Sequence, residues 1–169
     1  PRDRFLASLS DIVTIARGPK PVAAMKVAGL APTYRVPEPN TWREVLTLID
    51  EQMPIANSRV VLPEYGTTNP SLIAGLEARG AKVANLKVYD WELPDDIAPL
   101  LENARKLASG EIDVALFTSA HQIRNLLKVA QDHDLDATLR HGLRQAVVAS
   151  IGPTTSEALR DHELPVDFE

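Results

Sequence analysis

Residues 146–155 read Ala146-Val147-Val148-Ala149-Ser150-Ile151-Gly152-Pro153-Thr154-Thr155, and residues 112–119 read Ile112-Asp113-Val114-Ala115-Leu116-Phe117-Thr118-Ser119. Each is a short run with almost no polar side chain that ends on small hydroxyl residues, just before a stretch of helical periodicity. An apolar run of this length between turn residues reads as a strand buried on both faces. Strand, helix and strand in succession form a parallel crossover unit, so the chain is of the α/β class.

The same alternation extends outward from these two runs. Helices are predicted over 95–108, 120–131, 137–144 and 154–162, with an extended piece over 165–168. In the first half, strands are predicted over 12–16 and 59–63, and an extended run over 83–91. A helix over 19–28 closes at Gly29, a residue suited to the left-handed position after a helix. Thr41 and Glu44 have capping-box spacing, and Trp42, Val45, Leu46 and Ile49 behind them share one face. Asn69-Pro70-Ser71 opens a helix to residue 79: Asn69 can accept from a free amide and Pro70 loses no hydrogen bond in the first turn. Gly80 ends it.

The chain has 169 residues, no cysteine, and 18 Lys+Arg against 23 Asp+Glu, for a net charge of −5. Its 44% hydrophobic and 24% charged residues are those of a folded globular chain and exclude a disordered or disulfide-built one. The length suits one domain or two small lobes, and clusters of proline over 32–39 and 94–99 look like punctuation between segments. Without a basic stripe, an acidic chain is not expected to bind nucleic acid. No apolar run of about 18 residues is present, so no membrane partner is expected, and no leader segment is recognisable. Absence of cysteine fits a reducing, cytoplasmic setting.

One internal echo organises the rest. Gly18-Pro19, a helix and Leu30 match Gly152-Pro153, a helix and Leu164, with the leucine twelve residues after the glycine each time. Any strand-to-helix turn favours this pair, but the repeat also fits two similar lobes that each offer one such turn to a shared cleft. Ligands of parallel α/β sheets bind beyond the carboxyl ends of the strands. That rule selects four segments: Arg17-Gly18-Pro19-Lys20, Glu64-Tyr65-Gly66-Thr67-Thr68, Thr118-Ser119-Ala120 and Gly152-Pro153-Thr154-Thr155-Ser156. Helix amino termini there would receive anions such as carboxylates. A hydroxyl at Thr118, Ser119, Thr154 or Thr155 commonly serves only as a helix cap; four such turns together weigh toward a site. Neither glycine turn has a phosphate-loop or dinucleotide pattern. His121, His133, His141 and His162 lack metal-ligand spacing, and no metal site is assigned; His121 is the one beside a candidate turn. Tyr89, at the end of an extended run, offers a phenol that can donate a proton.

Taken together, Phe117-Thr118-Ser119, Ser150-Ile151-Gly152-Pro153-Thr154-Thr155 with Glu157-Ala158-Leu159 and Leu164-Pro165-Val166, Leu76-Glu77-Ala78-Arg79-Gly80-Ala81-Lys82-Val83, and Val88-Tyr89 before Trp91-Glu92-Leu93-Pro94 resemble the uroporphyrinogen-III synthase family over nearly the whole chain. The resemblance implies two Rossmann- or flavodoxin-like lobes with parallel sheets flanked by helices, joined by a two-stranded connection. It implies a lyase without cofactor that closes hydroxymethylbilane, a linear tetrapyrrole with eight carboxylates, to uroporphyrinogen III in haem biosynthesis. Loss of the terminal hydroxyl gives an azafulvene-like cation, attack at the substituted carbon of the last ring gives a spiro intermediate, and re-closure inverts that ring. Tyr89 matches the family tyrosine proposed to assist departure of the hydroxyl. Thr155 matches a threonine in the site, and Gly18, Gly66, Thr118, Ser119, Gly152 and Thr154 match positions lining it; Tyr65 lies in the same turn as Gly66. Pro21 replaces a family threonine, a contact that Lys20 would supply instead. Residues 1–89 match the second half of an inserted lobe and 90–169 the returning part of a discontinuous one, so the sequence resembles a partial chain, monomeric when full-length. A non-catalytic tetrapyrrole- or anion-sensing domain of the same fold is the alternative.

Overall fold

The computed structural model describes residues 2–64, 66 and 68–169. The chain divides into two compact units, Pro1–Asp90 and Trp91–Glu169, and passes from one to the other once.

The first unit opens with α1 (Arg2–Ser10), which buries no residue and has no counterpart among the sequence expectations. β1 (Ile15–Ala16) leads through Gly18 into α2 (Pro19–Val27), then β2 (Tyr34–Arg35), α3 (Trp42–Gln52), β3 (Arg59–Glu64), α4 (Pro70–Ala78) and β4 (Lys82–Lys87). β1 pairs with β2, and β3 with β4, both parallel, the latter from Arg59↔Lys82 to Glu64↔Lys87. Val36, Val45, Leu46, Ile49, Ile55, Leu72 and Leu76 form the core.

β1 is shorter than the 12–16 run predicted for it. Ile12 and Val13 are exposed, and at Thr14 side chains stand in for the ladder: its amide donates to Thr33 Oγ1 and the Thr33 amide to Thr14 Oγ1, each at 3.1 Å. The strand expected over 83–91 likewise stops at Lys87, leaving Tyr89 and Trp91 beyond it.

The start of α3 forms as its spacing demands. The Thr41 amide donates to Glu44 Oε2 at 2.8 Å, and Thr41 Oγ1 accepts from the Arg43 amide at 3.2 Å while donating to Glu44. That hydroxyl is the main reason the Glu44 carboxyl is held below its ordinary value. The resulting stabilisation is present above the unfolded carboxylate pKa and is lost as pH falls through the lower folded one. Thr41→Ala is therefore expected to cost about 1 kcal/mol at neutral pH, read by thermal melting. The deficit relative to wild type should shrink in acid, where Glu44 is protonated in both.

The second unit contains α5 (Ala98–Ser109), β5 (Val114–Phe117), α6 (Ala120–Asp132), α7 (Asp136–Gln145), β6 (Val147–Ser150) and α8 (Pro153–Asp161). α5 starts later than predicted because Asp96 Oδ1 accepts from the Ala98 amide at 2.9 Å, an Asx cap placed just before the helix. β5 and β6 are parallel from Val114↔Val147 to Phe117↔Ser150, and the tail bridges Ala149 through Phe168. Ile123, Leu139, Leu143, Val148 and Leu159 are fully enclosed.

Burial of β5 on both faces, expected from its composition, does not hold. Ala115 and Phe117 face the core, while Val114 and Leu116 are 58% and 62% exposed. Buried side chains of all four helices gather with Ala115, Phe117 and Val148 in one cluster, so the packing covers a single face of this pair. The apolar composition of the other face carries no signal of that one-sidedness.

The Gly18-Pro19 and Gly152-Pro153 segments, one in each unit, open helices that begin and end alike, as α4 does with Pro70 and Gly80. Both glycines precede nine-residue helices with proline in the first turn. Both helices close alike: Leu30 N–H donates to Met25 O at 2.8 Å and Leu164 N–H to Leu159 O at 2.9 Å, with Gly29 and Glu163 bonded to the carbonyls three residues back. This closure needs a left-handed residue, which is Gly29 (φ 75°) in one copy and Glu163 (φ 58°) in the other.

Candidate functional site

In the second unit the parallel register decides which turns meet. Phe117 and Ser150 are ladder partners at the carboxyl ends of β5 and β6, and the Ile151 amide donates to Phe117 O at 3.0 Å. Thr118-Ser119 and Gly152-Pro153-Thr154-Thr155 therefore emerge side by side from one sheet edge, each leading into a helix. Ser119 and Gly152 are the N-caps of α6 and α8, and no side chain caps either helix. Capping, the ordinary explanation for the Ser119 hydroxyl, is thus not what it does here.

The hydroxyls differ in access. Thr118 and Thr154 are exposed and Ser119 is half-buried, but Thr155 is only 4% exposed, enclosed within the unit rather than presented at its surface. The Thr118 amide donates to Gln122 Oε1 at 2.8 Å, and its hydroxyl lies 3.3 Å from the same oxygen. Gln122 thus holds the turn from inside α6, a role its place in a helical run does not advertise. On the other turn, Ser150 Oγ reaches Ser156 Oγ and lies 3.5 Å from Gly152 O. Both serines are buried, and together they set the shape of the glycine turn. A lone hydroxyl closing an apolar strand, six residues from a second one, is the signal that would have found them.

His121, in the first turn of α6, has its ring centroid 4.6 Å from that of Trp91. Burial, with the nearby Arg124 charge, pushes its pKa down, favouring the neutral ring. Among the described residues no group of three His, Asp or Glu could hold a metal ion, and no helix is long and apolar enough to cross a membrane.

In the first unit, Gly18 follows β1 with φ 90°. Pro19 and Pro21 both lack an amide hydrogen, so the first turn of α2 offers the Lys20 amide and an exposed Lys20 side chain. Gly66 follows β3 and is half-buried; Tyr65 lies outside the described residues. At α4, Asn69 Oδ1 accepts from the Leu72 amide at 2.9 Å, so capping is satisfied there as the sequence indicates. Tyr89 is 40% exposed, past the end of β4.

A model of uroporphyrinogen-III synthase HemD matches residues 2–169. The chain belongs to the uroporphyrinogen-III synthase family. Uroporphyrinogen III synthase of the extremely thermophilic bacterium Thermus thermophilus superposes with a TM-score of 0.66 and 29% identity, over 96% of this chain and 60% of that one; a second crystal form gives 0.54. A putative uroporphyrinogen-III synthase of Methanothermobacter thermautotrophicus is 35% identical over 104 residues, 62% of this chain and 40% of that protein. YjjA of Bacillus subtilis, described as uncharacterized, is 28% identical over 161 residues, 95% of this chain and 58% of that protein. The chain thus spans about three fifths or less of the length of these relatives. Its short parallel strand pairs flanked by helices are the fold of that family.

Proposed function

We propose that this chain carries the ligand-holding turns of a uroporphyrinogen-III synthase, acting on hydroxymethylbilane in the cytoplasm. In this reading residues 1–89 are the second half of the inserted lobe and 90–169 the returning part of the discontinuous one. The observation that carries it is the juxtaposition of Thr118-Ser119 and Gly152-Thr154 at one sheet edge, at the starts of two helices that no side chain caps. Helix amino termini attract carboxylates without a basic surface, and the substrate is a polyacid.

The chemistry asked of the protein is mainly orientation. Unassisted, hydroxymethylbilane closes to the type I isomer; a site that pins its carboxylates can hold the last ring where the spiro route is faster. Tyr89 would assist loss of the terminal hydroxyl by giving it a proton, so that it leaves as water. Thr155, whose amide donates to Gly152 O at 3.0 Å, would act through that turn, and Lys20 would meet a carboxylate in place of the threonine that the resemblance implies at Pro21.

The test is to supply hydroxymethylbilane and resolve the product isomers by chromatography. An excess of type III over a protein-free control is expected, and Tyr89→Phe should lower that turnover by about a hundredfold, the scale of a lost general acid, with the melting temperature unchanged. Type I product alone, with ligand bound, would instead support the sensing domain, a reading that Pro21 favours. Unaltered turnover would remove Tyr89 from the mechanism.

A further inference from the structure

Residues 12–43 carry five cations, Arg17, Lys20, Lys26, Arg35 and Arg43, against one carboxylate, Glu38, in a chain whose net charge is −5. Two of the five have ordinary uses. Lys26 lies in the last turn of α2, where it complements the helix dipole, and the Arg43 guanidinium lies over the Trp42 ring at 4.3 Å. The other three meet at one place in the fold. Ala16 and Arg35 are ladder partners at the carboxyl ends of β1 and β2, and the Val36 amide donates to Ala16 O at 3.1 Å. Arg17, the residue after Ala16, therefore leaves β1 beside the end of β2, at the spacing of neighbouring strands, about 5 Å. Lys20 follows in the first turn of α2.

Arg17, Lys20 and Arg35 are all exposed, and none forms an ion pair with another described residue, Glu38 included. Elsewhere exposed lysines do find a carboxylate one turn away, as Lys106 finds Glu102 and Lys128 finds Asp132. Like charges gathered without a counter-charge repel one another and raise the local concentration of anions. The place is also the one where ligands of parallel sheets arrive.

The donors are of a particular kind. Pro19 and Pro21 carry no N–H, so the run of backbone amides that cradles a phosphate is missing from the first turn of α2. Side chains remain, and a guanidinium fork meets a planar carboxylate with two parallel N–H···O bonds. Asn40 borders the same turn without adding charge, its Cβ and Cγ lying 3.9 Å from a Cβ built on Gly18.

We propose that Arg17 and Arg35, together with Lys20, form a polycarboxylate-binding corner within the first unit, where side-chain cations do what backbone amides do at an open helix start. For its class of ligand the inference rests on the tetrapyrrole reading above. The variants are Arg17→Gln, Arg35→Gln and the two combined. Lys128→Gln, which removes the same charge from α6 of the second unit, is the control. Binding of benzenehexacarboxylate and of pyrophosphate is measured by calorimetric titration at low and moderate salt, and hydroxymethylbilane supplies KM and kcat.

Wild type should bind benzenehexacarboxylate more tightly than pyrophosphate. Each arginine variant should weaken the polyacid by about fivefold and the double variant by about twentyfold, the scale of exposed ionic contacts, with a shallower dependence on salt. KM for hydroxymethylbilane should rise by the same factors with kcat held, as for a contact made equally in ground and transition states. Lys128→Gln should leave all of these within twofold, and melting temperatures should hold, since the arginines replaced are exposed and unpaired. Equal losses in Lys128→Gln, no loss in the arginine variants, tighter binding of pyrophosphate, or no binding of benzenehexacarboxylate to wild type would each overturn the proposal. Type III product from wild type with KM unmoved in the arginine variants would overturn it while the synthase reading stands. No type III product, with polyacid affinity still lost in both arginine variants, would support the corner and remove the synthase reading in favour of the sensing domain.

Discussion

Gly142→Ala is expected to unfold the second unit at a temperature lower by on the order of 10–20 °C. A helix-interior glycine costs about 1 kcal/mol relative to alanine, so on propensity alone the change should stabilise. The packing reverses the sign. A Cβ built on Gly142 lies 1.8 Å from the carbonyl oxygen of Leu107, 2.7 Å from its carbon and 3.3 Å from Ala108 Cα. All three are backbone atoms of α5, which no rotamer change can move aside. The added methyl must push α7 off α5, disturbing the enclosed Leu139 and Leu143, at a cost of about 3 kcal/mol. Gly75→Ala is the internal control. There the added carbon meets Leu46 Cδ1 at 2.3 Å, the end of a side chain that can turn away, and its loss should be well under half as large. Calorimetry of both variants checks the argument; a melting temperature at or above wild type for Gly142→Ala would contradict the close helix approach.

Gly152→Val is expected to do the reverse, leaving the fold intact while removing type III product formation by about a hundredfold, the scale of a misplaced substrate. Gly152 has φ 161° and ψ −179°, extended backbone open to any residue, and it precedes a proline, where β-branched residues are comfortable. A Cβ there meets nothing within 4 Å. Neither backbone geometry nor packing asks for glycine, so what remains is room for something to approach the turn. Melting should match wild type within about 0.5 kcal/mol, while the isomer assay reports the loss. Equal type III turnover in the variant would take Gly152 out of the site. Gly18 is no substitute for this experiment, because its φ of 90° makes any side chain there strained.

What was legible in the sequence is what short spacing controls. Thr41 with Glu44 and Asn69 before Pro70 specify helix starts through hydrogen bonds that span only a few residues, and glycine before Pro19 and Pro153 does so through the fixed φ of proline in the first turn; each forms as read. The order of strands and helices followed from periodicity, because burial repeats every two or every three to four residues along the chain. The Gly-Pro echo was legible for the same reason, down to the leucine that closes each helix.

The candidate site was legible as a set of turns but not in its access or wiring. Thr155 reads like its neighbour Thr154, yet one is enclosed and the other open, since successive residues of a helix point about 100° apart and only the packing says which direction is inside. Gln122 looks like a solvent-facing helix residue, and only the folded turn puts its carbonyl against the Thr118 amide. Arg17 and Arg35 lie far apart in the chain, and only the pairing of β1 with β2 sets their strand ends side by side.

By itself, then, the chain's sequence determined its α/β class, the capped starts of α3 and α4, and the strand-to-helix turns where a ligand would be sought, all of them consequences of local hydrogen bonding and the periodicity of apolar residues. Tertiary structure alone decided that β5 is covered on a single face, that Thr118 and Gly152 come to lie at one edge, and that α5 and α7 approach closely enough to require Gly142. Those outcomes depend on contacts between residues far apart in the chain, and no spacing along it records them.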